Sequence, residues 1–481
     1  MLDALRKKLY TPVDIASVVV FRVGFGFIML YEVWRYMSHD WVRMFYIRPE
    51  FMFKYYGFEW LQAWPGNGMT WHFVALGVLA FMIMVGAAYR IATVLFLIGF
   101  SYVFLLDQAR YLNHFYFVIL LSLLMCFVPA HRAFSVDAWL RPKLRSATIP
   151  GWALFALLIQ MEIVLLYAGI VKITPDWLQG QPLGMWLAND ADLFLVGQLF
   201  EQKWAIVGGS WAVIILHCVG APLLFFKSTR MYVFVLYCSF HFLNHLVFEI
   251  GIFPWLTIVG TTLFFDPDWP RKLGRRVELH VARLMERRHD LGQGTISSQL
   301  VAGPAAPPAM QQPSPLTVAL ISILGVWMVL QAVIPLRHYL YPGDVAWTEE
   351  GHRFAWRMKL RNKSGRIKFV ATDPATGNEW SIDPRNYLTS KQTRVMACRP
   401  DMMLQFAHYL AQRLEAEANI HDAVIQAKNT CSLNGRPRLP IVDPERNLAQ
   451  VERSLAAADW LLPNDKPLPQ FWRDETRAAS R

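Results

Sequence analysis

Apolar residues fall along this chain in long blocks broken by short polar turns, and blocks of about 20 residues match the roughly 30 Å hydrocarbon core of a bilayer. Four blocks of that length stand clear, near 13–37, 152–172, 205–227 and 315–335. Shorter ones follow at 70–88, 91–107 and 111–129, and the run 230–266 is long enough for two crossings split at Glu249 and Gly251. The pattern predicts about nine transmembrane helices, with tight turns at Tyr89-Arg90 and Glu249-Ile250-Gly251 that make antiparallel hairpins. After residue 336 the period changes. Residues 353–361, 366–373 and 378–383 alternate apolar and polar and read as strands joined at Lys363-Ser364-Gly365 and Thr376-Gly377-Asn378. A helix from Pro400-Asp401 to about Asn419, capped by Asp401, and a strand near 422–431 complete the expected elements.

The predicted fold class is a polytopic α-helical membrane protein with a C-terminal, mostly β extramembrane domain. The divisions are residues 1–266 for the membrane helices and 267–314 for a basic inner loop and Pro/Ala-rich linker. Residues 315–335 form the last span, and 336–481 an outer domain with one helix and a polar tail.

Composition narrows the class further. With 54% hydrophobic and 17% charged residues and a mean hydropathy of +0.27, the chain is not a soluble enzyme, a disordered segment or a fibrous repeat. The net charge of +11 would suit a nucleic-acid binder. Its densest basic run, Arg271 to Arg288, lies between spans, however, where positive charge orients a membrane protein, so no nucleic-acid partner is expected. The same charge bias places the N-terminus inside and, across nine spans, the C-terminal domain outside. Arg6, Lys7 and Lys8 precede an apolar stretch too long for a signal peptide, so the first span is expected to anchor itself. Cys126, Cys218 and Cys238 lie in apolar segments, which leaves Cys398 and Cys431 as the pair able to form a disulfide.

Polar groups inside lipid are costly, so each one invites a functional question. Lys172 ends the fifth span; it either snorkels to the interface or, desolvated and neutral, acts as a general base. Asn113-His114, with Asp107 just before, sits at the same predicted depth and either caps a helix or faces Lys172. His241 and His245 share a helical face, as a metal pair would, with Asn244 beside them. No second histidine pair and no carboxylate in register accompany them, so no metal site is expected and helix-to-helix hydrogen bonding is the alternative. His217, Arg22 and Glu32 are expected to pair between helices. Trp356, in Phe354-Ala355-Trp356-Arg357-Met358, either contacts a partner or fills a sheet core. Phosphate loops, nucleophile elbows, zinc signatures and redox cysteine pairs are missing from the sequence, which removes any basis for ATP coupling or hydrolase chemistry.

These residues belong to a longer set. Pro12-Val13-Asp14-Ile15-Ala16-Ser17, Phe21-Arg22, Tyr89-Arg90-Ile91 and Phe104-Leu105-Leu106-Asp107 are followed by Asn113-His114, Phe134-Ser135-Val136-Asp137 and the segment Ala168 to Trp177. Then come Phe240-His241 with Asn244, Ile250-Gly251-Ile252-Phe253, Pro267 to Leu273, Pro335 to His338, Trp356 with Met358, and Asp373 to Gly377. In this order they resemble the vitamin K-dependent gamma-glutamyl carboxylase family, whose membrane region is the horizontally transferred transmembrane (HTTM) domain. The resemblance implies conversion of glutamate in a protein or peptide to gamma-carboxyglutamate. That reaction is coupled to oxidation of reduced vitamin K, or a related hydroquinone, to its epoxide, with O2 and CO2 as co-substrates and no metal. It implies Lys172 as the base that ionises the hydroquinone and His114 as the assistant to the oxygen chemistry. Asn113, Asp107, His241 and Asn244 are assigned to the cofactor, and Trp356 and Met358 to the glutamate-containing substrate. Two departures stand out: Ala88 replaces a cysteine of animal members, and Arg361 replaces a histidine. A rival reading is a non-catalytic HTTM-domain receptor or assembly factor whose outer domain binds a partner. A transporter is weaker still, because no inverted repeat is visible.

Overall fold

A computed structural model of the chain describes residues 8–188, 197–248, 250–289 and 314–469. Glu249, most of the predicted linker and the end of the polar tail lie outside the described residues. Among the described residues seven helices are long and apolar enough to cross a membrane. They are α1 Ala16–Ser38, α2 Gly68–Val85, α3 Tyr89–Leu106, α5 Gly151–Ile170, α6 Lys203–Leu223, α7 Arg230–Phe248 and α10 Pro315–Leu340. Two shorter apolar helices, α4 Asn113–Phe127 and α8 Phe253–Phe264, stand where the other two crossings were predicted. The basic run after them is also helical, as α9 Trp269–His289.

Side chains at one end of the bundle explain several polar residues of the sequence pattern. Gly86, at φ 68, makes the left-handed turn that ends α2. The Asp137 carboxylate accepts from the Ala88 and Tyr89 backbone N–H groups at 2.8 and 2.9 Å, satisfying donors that the start of α3 would leave orphaned. Arg22, wholly buried in α1, donates to the carbonyls of Ala130 at 2.9 Å and Phe134 at 2.5 Å. Its partners are thus backbone carbonyls, and its task is to tie α1 to the 130–134 turn. The strand β1 Pro12–Asp14 pairs antiparallel with β2 Thr148–Pro150, which anchors the approach to α1 beside that of α5.

At the other end sits the outer domain. Its sheet has three antiparallel strands in the order β4-β3-β5, formed by β3 Lys363–Thr372, β4 Glu379–Ile382 and β5 Val424–Leu433. The helix α11 Ser390–Met396 begins with a capping box between Thr389 and Gln392. Next, α12 Pro400–Ala418 packs Met402, Phe406 and Leu410 into one core with Phe369 and Ile425 of the sheet. A disulfide between Cys398 and Cys431 ties the start of α12 to β5. The domain docks through polar contacts: Gln108 donates to the Lys54 carbonyl at 2.7 Å and to Asp401 at 2.8 Å, and the Lys54 N–H donates to Gln405 at 2.8 Å.

Three local expectations are corrected. Asp401 does not cap α12, because the cap position is Arg399; the Asp401 carboxylate instead receives Gln108, Gln405 and Arg453. Lys363-Ser364-Gly365 is no turn but the start of β3. Gly365 is needed there for close packing, since a Cβ would lie 2.6 Å from the Cys398 sulfur and 2.9 Å from the Ala397 carbonyl. Residues 353–361 form no strand. Phe354, Trp356 and Lys359 all have positive φ, at 58, 54 and 49°, and the segment is an irregular loop. Its alternation is real, but the surface it packs on is helical: Trp356 and Leu360 are buried in the membrane core, with Phe354 and Met358 against it.

Candidate functional site

The helix α5 stops at Ile170, and Thr174-Pro175 turns the chain, so Lys172 stands just beyond the span on a tight turn. Gly169 lets this turn lie close to a neighbour. A Cβ there would meet the Cys218 sulfur at 2.6 Å and the His217 Cβ at 2.8 Å, and both residues belong to a π-helical turn, Leu216–Gly220, within α6. Lys172 is 6% exposed. Its amine donates to the Ala168 carbonyl at 2.8 Å and to the Met358 carbonyl at 3.3 Å, and lies 5.2 Å from the Trp177 ring centre. No carboxylate lies in ion-pair contact with it among the described residues. Burial pulls its pKa from the usual lysine value of 10.5 down to about 7, with only the Cys218 side chain acting in the other direction.

The loop 353–361 that supplies the Met358 carbonyl is held by the membrane helices. Tyr111 accepts from the Phe354 N–H at 2.7 Å and donates to Asn113 at 2.9 Å, while the Asn113 amide reaches the Arg357 carbonyl at 3.5 Å. The Trp356 ring lies 5.0 Å from that of Tyr116 and 6.1 Å from that of Phe117, centre to centre. Behind the loop, Glu349 receives Arg361 at 2.5 and 2.7 Å and Lys363 at 3.0 Å, and Arg361 also meets His352 at 2.7 Å. These cations hold the Glu349 carboxyl well below its usual range despite its burial.

In front of Lys172 opens a cavity of ≈ 1290 Å³. Asn113, His114, Lys172, His241, Asn244 and Met358, all singled out in the sequence, line it together. The walls are otherwise largely aliphatic, from Val164, Leu165 and Leu183 among others. On one side its lining residues Val219, Leu236 and Leu243 are 53, 56 and 43% exposed on the lipid-facing surface of α6 and α7. His241 is 1% exposed and neither ring nitrogen has a hydrogen-bond partner among the described residues. Two buried, unsatisfied nitrogens in a wall suit the hydroxyl or carbonyl of a ring that enters there.

Two expected site residues lie elsewhere. Asp107 does not line the cavity: its oxygens accept from the Ala109 and Phe53 N–H groups at 2.9 and 3.3 Å and from Gln392 at 3.2 Å, so it holds the domain junction together. Trp356 is wholly buried and anchors its loop from behind. Arg361 is locked onto Glu349 and does not reach the cavity. The sequence pattern predicts His217 and Glu32 only as partners between helices, yet both line the cavity: His217 does bond a neighbouring helix, through Tyr237 at 3.2 Å, whereas Glu32 pairs with Arg35 within α1 at 2.9 Å. Arg110, Lys391 and Arg399 also face the cavity. The i,i+3 spacing of Glu32 and Arg35 inside an apolar span was a usable signal. Lys391 and Arg399 gave none, because in sequence they look like ordinary surface cations.

Residues 10–269 match the HTTM domain, and residues 316–467 match the vitamin K-dependent gamma-carboxylase lumenal domain. The chain belongs to the gamma-glutamyl carboxylase family. No solved structure matches it. Membership makes this carboxylase-family chain a multipass membrane protein whose C-terminal region is a lumenal domain. In family terms, the loop carrying Met358 belongs to the lumenal domain and closes over a cavity of the HTTM domain.

Proposed function

We propose that the protein carboxylates glutamate side chains of a protein substrate to gamma-carboxyglutamate, coupled to epoxidation of a vitamin K-type hydroquinone by O2. One observation carries the reading. A neutral amine has two N–H bonds and one lone pair, and Lys172 directs its two N–H bonds at two carbonyls, Ala168 and Met358. The lone pair is left over in a group that lines the cavity, and a third proton would have no acceptor among the described residues. Burial without a counter-ion keeps the amine largely neutral above pH 7. These are the requirements for a base that deprotonates a phenolic hydroxyl.

In this reading the hydroquinone, once ionised and oxygenated, supplies the strong base that removes a gamma proton of glutamate, and the resulting carbanion adds CO2. The protein's own residues do the rest. His241 and Asn244 orient the ring from one wall, and Asn113 and His114 face the oxygen from another. The loop 353–361 covers the reacting centre and excludes water, which would quench a carbanion. Met358 supplies both lid and hydrogen-bond acceptor, so closure of the lumenal domain and orientation of the base are one event. The topology that accompanies this reading has the N-terminus inside and residues 336–481 outside, with the membrane helices, the 267–314 loop and the last span divided as the hydropathy pattern has them.

The test is incorporation of labelled CO2 into a glutamate-containing peptide by purified protein, with and without reduced vitamin K. The proposal expects incorporation only with hydroquinone and O2. Peptide binding without any incorporation would favour the non-catalytic receptor.

A further inference from the structure

Among the described residues nothing covers the apolar side of α9. Every residue from 271 to 282 is exposed, and a Cβ added at Gly274 would meet nothing within 4 Å. Yet the sequence of this helix is amphipathic. Leu273, Val277 and Val281, spaced four apart, form one stripe along it and are 51, 53 and 40% exposed. Arg271, Lys272, Arg275 and Arg276 lie off that stripe. A helix standing alone in water is marginal, and an interior glycine weakens it further, so the pattern calls for a surface that takes both the stripe and the cations.

The start of α9 is fixed where a span ends. Just beyond α8, Asp266 receives Lys227 at 3.4 Å, Arg230 at 3.1 Å and Lys272 at 4.0 Å. Lys272 also meets Asp268 at 2.9 Å, and Arg271 meets Asp14 at 3.0 Å. These pairs use up the cations of the first turn. Arg275 and Arg276, one turn further on, have no ion-pair partner among the described residues. Charges counted along the whole sequence leave the same surplus: seven Lys and Arg between 269 and 289 face Glu278 and Glu286, and 290–313 adds only Asp290. Near the N-terminus Asp3 is outnumbered by Arg6, Lys7 and Lys8.

An apolar stripe beside unpaired arginines, on a helix that starts at the end of a span, fits the headgroup layer of a bilayer. The apolar side chains enter the acyl boundary, while the long arginine stems carry their charge to lipid phosphates. We propose that α9 lies in the membrane interface and binds anionic lipid headgroups through Arg275 and Arg276, with Leu273, Val277 and Val281 turned to the lipid. A nucleic acid would use the cations but leave the stripe uncovered. None of these residues lines the cavity, so the inference stands apart from the carboxylase reading.

Hydrogen exchange in peptides covering 270–282 tests this on the full protein, in nanodiscs of phosphatidylcholine with and without phosphatidylglycerol. Phosphatidylglycerol should slow the exchange at least about tenfold, and rising salt should shrink the effect. The double variant Arg275→Gln, Arg276→Gln should lose most of the slowing through charge, and Val277→Asp through the apolar stripe. Inorganic phosphate added to the neutral nanodiscs should not reproduce it. Equal exchange in the two lipids, slowing that survives the double variant, or slowing by phosphate alone would overturn the proposal. So would exchange that is already slow in neutral lipid and unchanged by Val277→Asp, since the stripe would then be covered by protein, from this chain or a second copy. All three substitutions fall on exposed positions, and the wild-type comparison between lipids is decisive without them.

Discussion

Replacing Lys172 by methionine should stabilise the protein, and the gain should disappear with rising pH. In the unfolded chain the amine titrates near 10.5, and in the folded protein near 7. The gap of about 3.5 pH units, at about 1.4 kcal/mol each, means that keeping the amine neutral at pH 7 costs about 5 kcal/mol of folding free energy. The sign follows from proton counting: between those two values the unfolded chain binds a proton that the folded one does not, so stability rises with pH across this window. At pH 9 the cost has fallen to about 2 kcal/mol. Against it stand the two hydrogen bonds to Ala168 and Met358, worth about 1 kcal/mol each and lost in the variant. Lys172→Met should thus be more stable than wild type by about 3 kcal/mol at pH 7 and close to it at pH 9. Equilibrium unfolding of both proteins in mixed micelles at the two pH values measures this. A variant less stable than wild type at pH 7, or a difference that does not move with pH, would refute the claim that this lysine is buried without a counter-ion.

Other perturbations follow from the same geometry. Glu349→Gln removes the carboxylate that Arg361 and Lys363 share, and should cost about 3–5 kcal/mol in the same unfolding assay. Trp356→Ala empties a packed site between Tyr116 and Phe117 and should cost about 3–5 kcal/mol; a raised peptide KM with unchanged stability would mean that the ring touches substrate after all. Gly169→Ala places a methyl against Cys218 and His217 and should push α6 away from Lys172, raising the hydroquinone KM more than the peptide KM. A reporter active only outside the cytoplasm should work when fused at residue 481 and fail when fused within 267–314.

The hydropathy pattern located the spans because the bilayer imposes a length that a single sequence displays. Boundaries shifted where local capping decides them, as at Gly86. The outer helix and three of the four predicted strand segments were legible for the same kind of reason. The loop 353–361 was not: alternation reports that every second side chain is buried, and cannot say whether the burying surface is a sheet or a helical bundle. Trp356 and Met358 therefore looked like strand residues, although one is packed against α4 and the other lines the cavity. Within the site, Lys172, His114 and Asn113 were conspicuous because polar groups at the end of a span are expensive. Asp107 was conspicuous for that reason too, yet its carboxylate is spent on backbone N–H groups at the domain junction. Lys391 and Arg399 reach the cavity only by docking of the outer domain, which no local pattern foretells.

With Lys172 as the base, epoxide and carboxylated peptide both depend on one amine. Purified wild-type protein, Lys172→Ala and Lys172→Arg should be given reduced vitamin K, a glutamate-containing peptide and labelled CO2, with epoxide and incorporated label both counted. Lys172→Ala should lose nearly all of both products while still binding quinone, and an added small amine should restore part of each, because it fits the space of the missing side chain and brings a lone pair. Lys172→Arg should stay inactive, since a guanidinium holds its proton at any accessible pH. Full activity in Lys172→Arg, or an Ala variant that still makes epoxide without added amine, would contradict the assignment and leave Lys172 as a structural anchor between α5 and the loop that carries Met358.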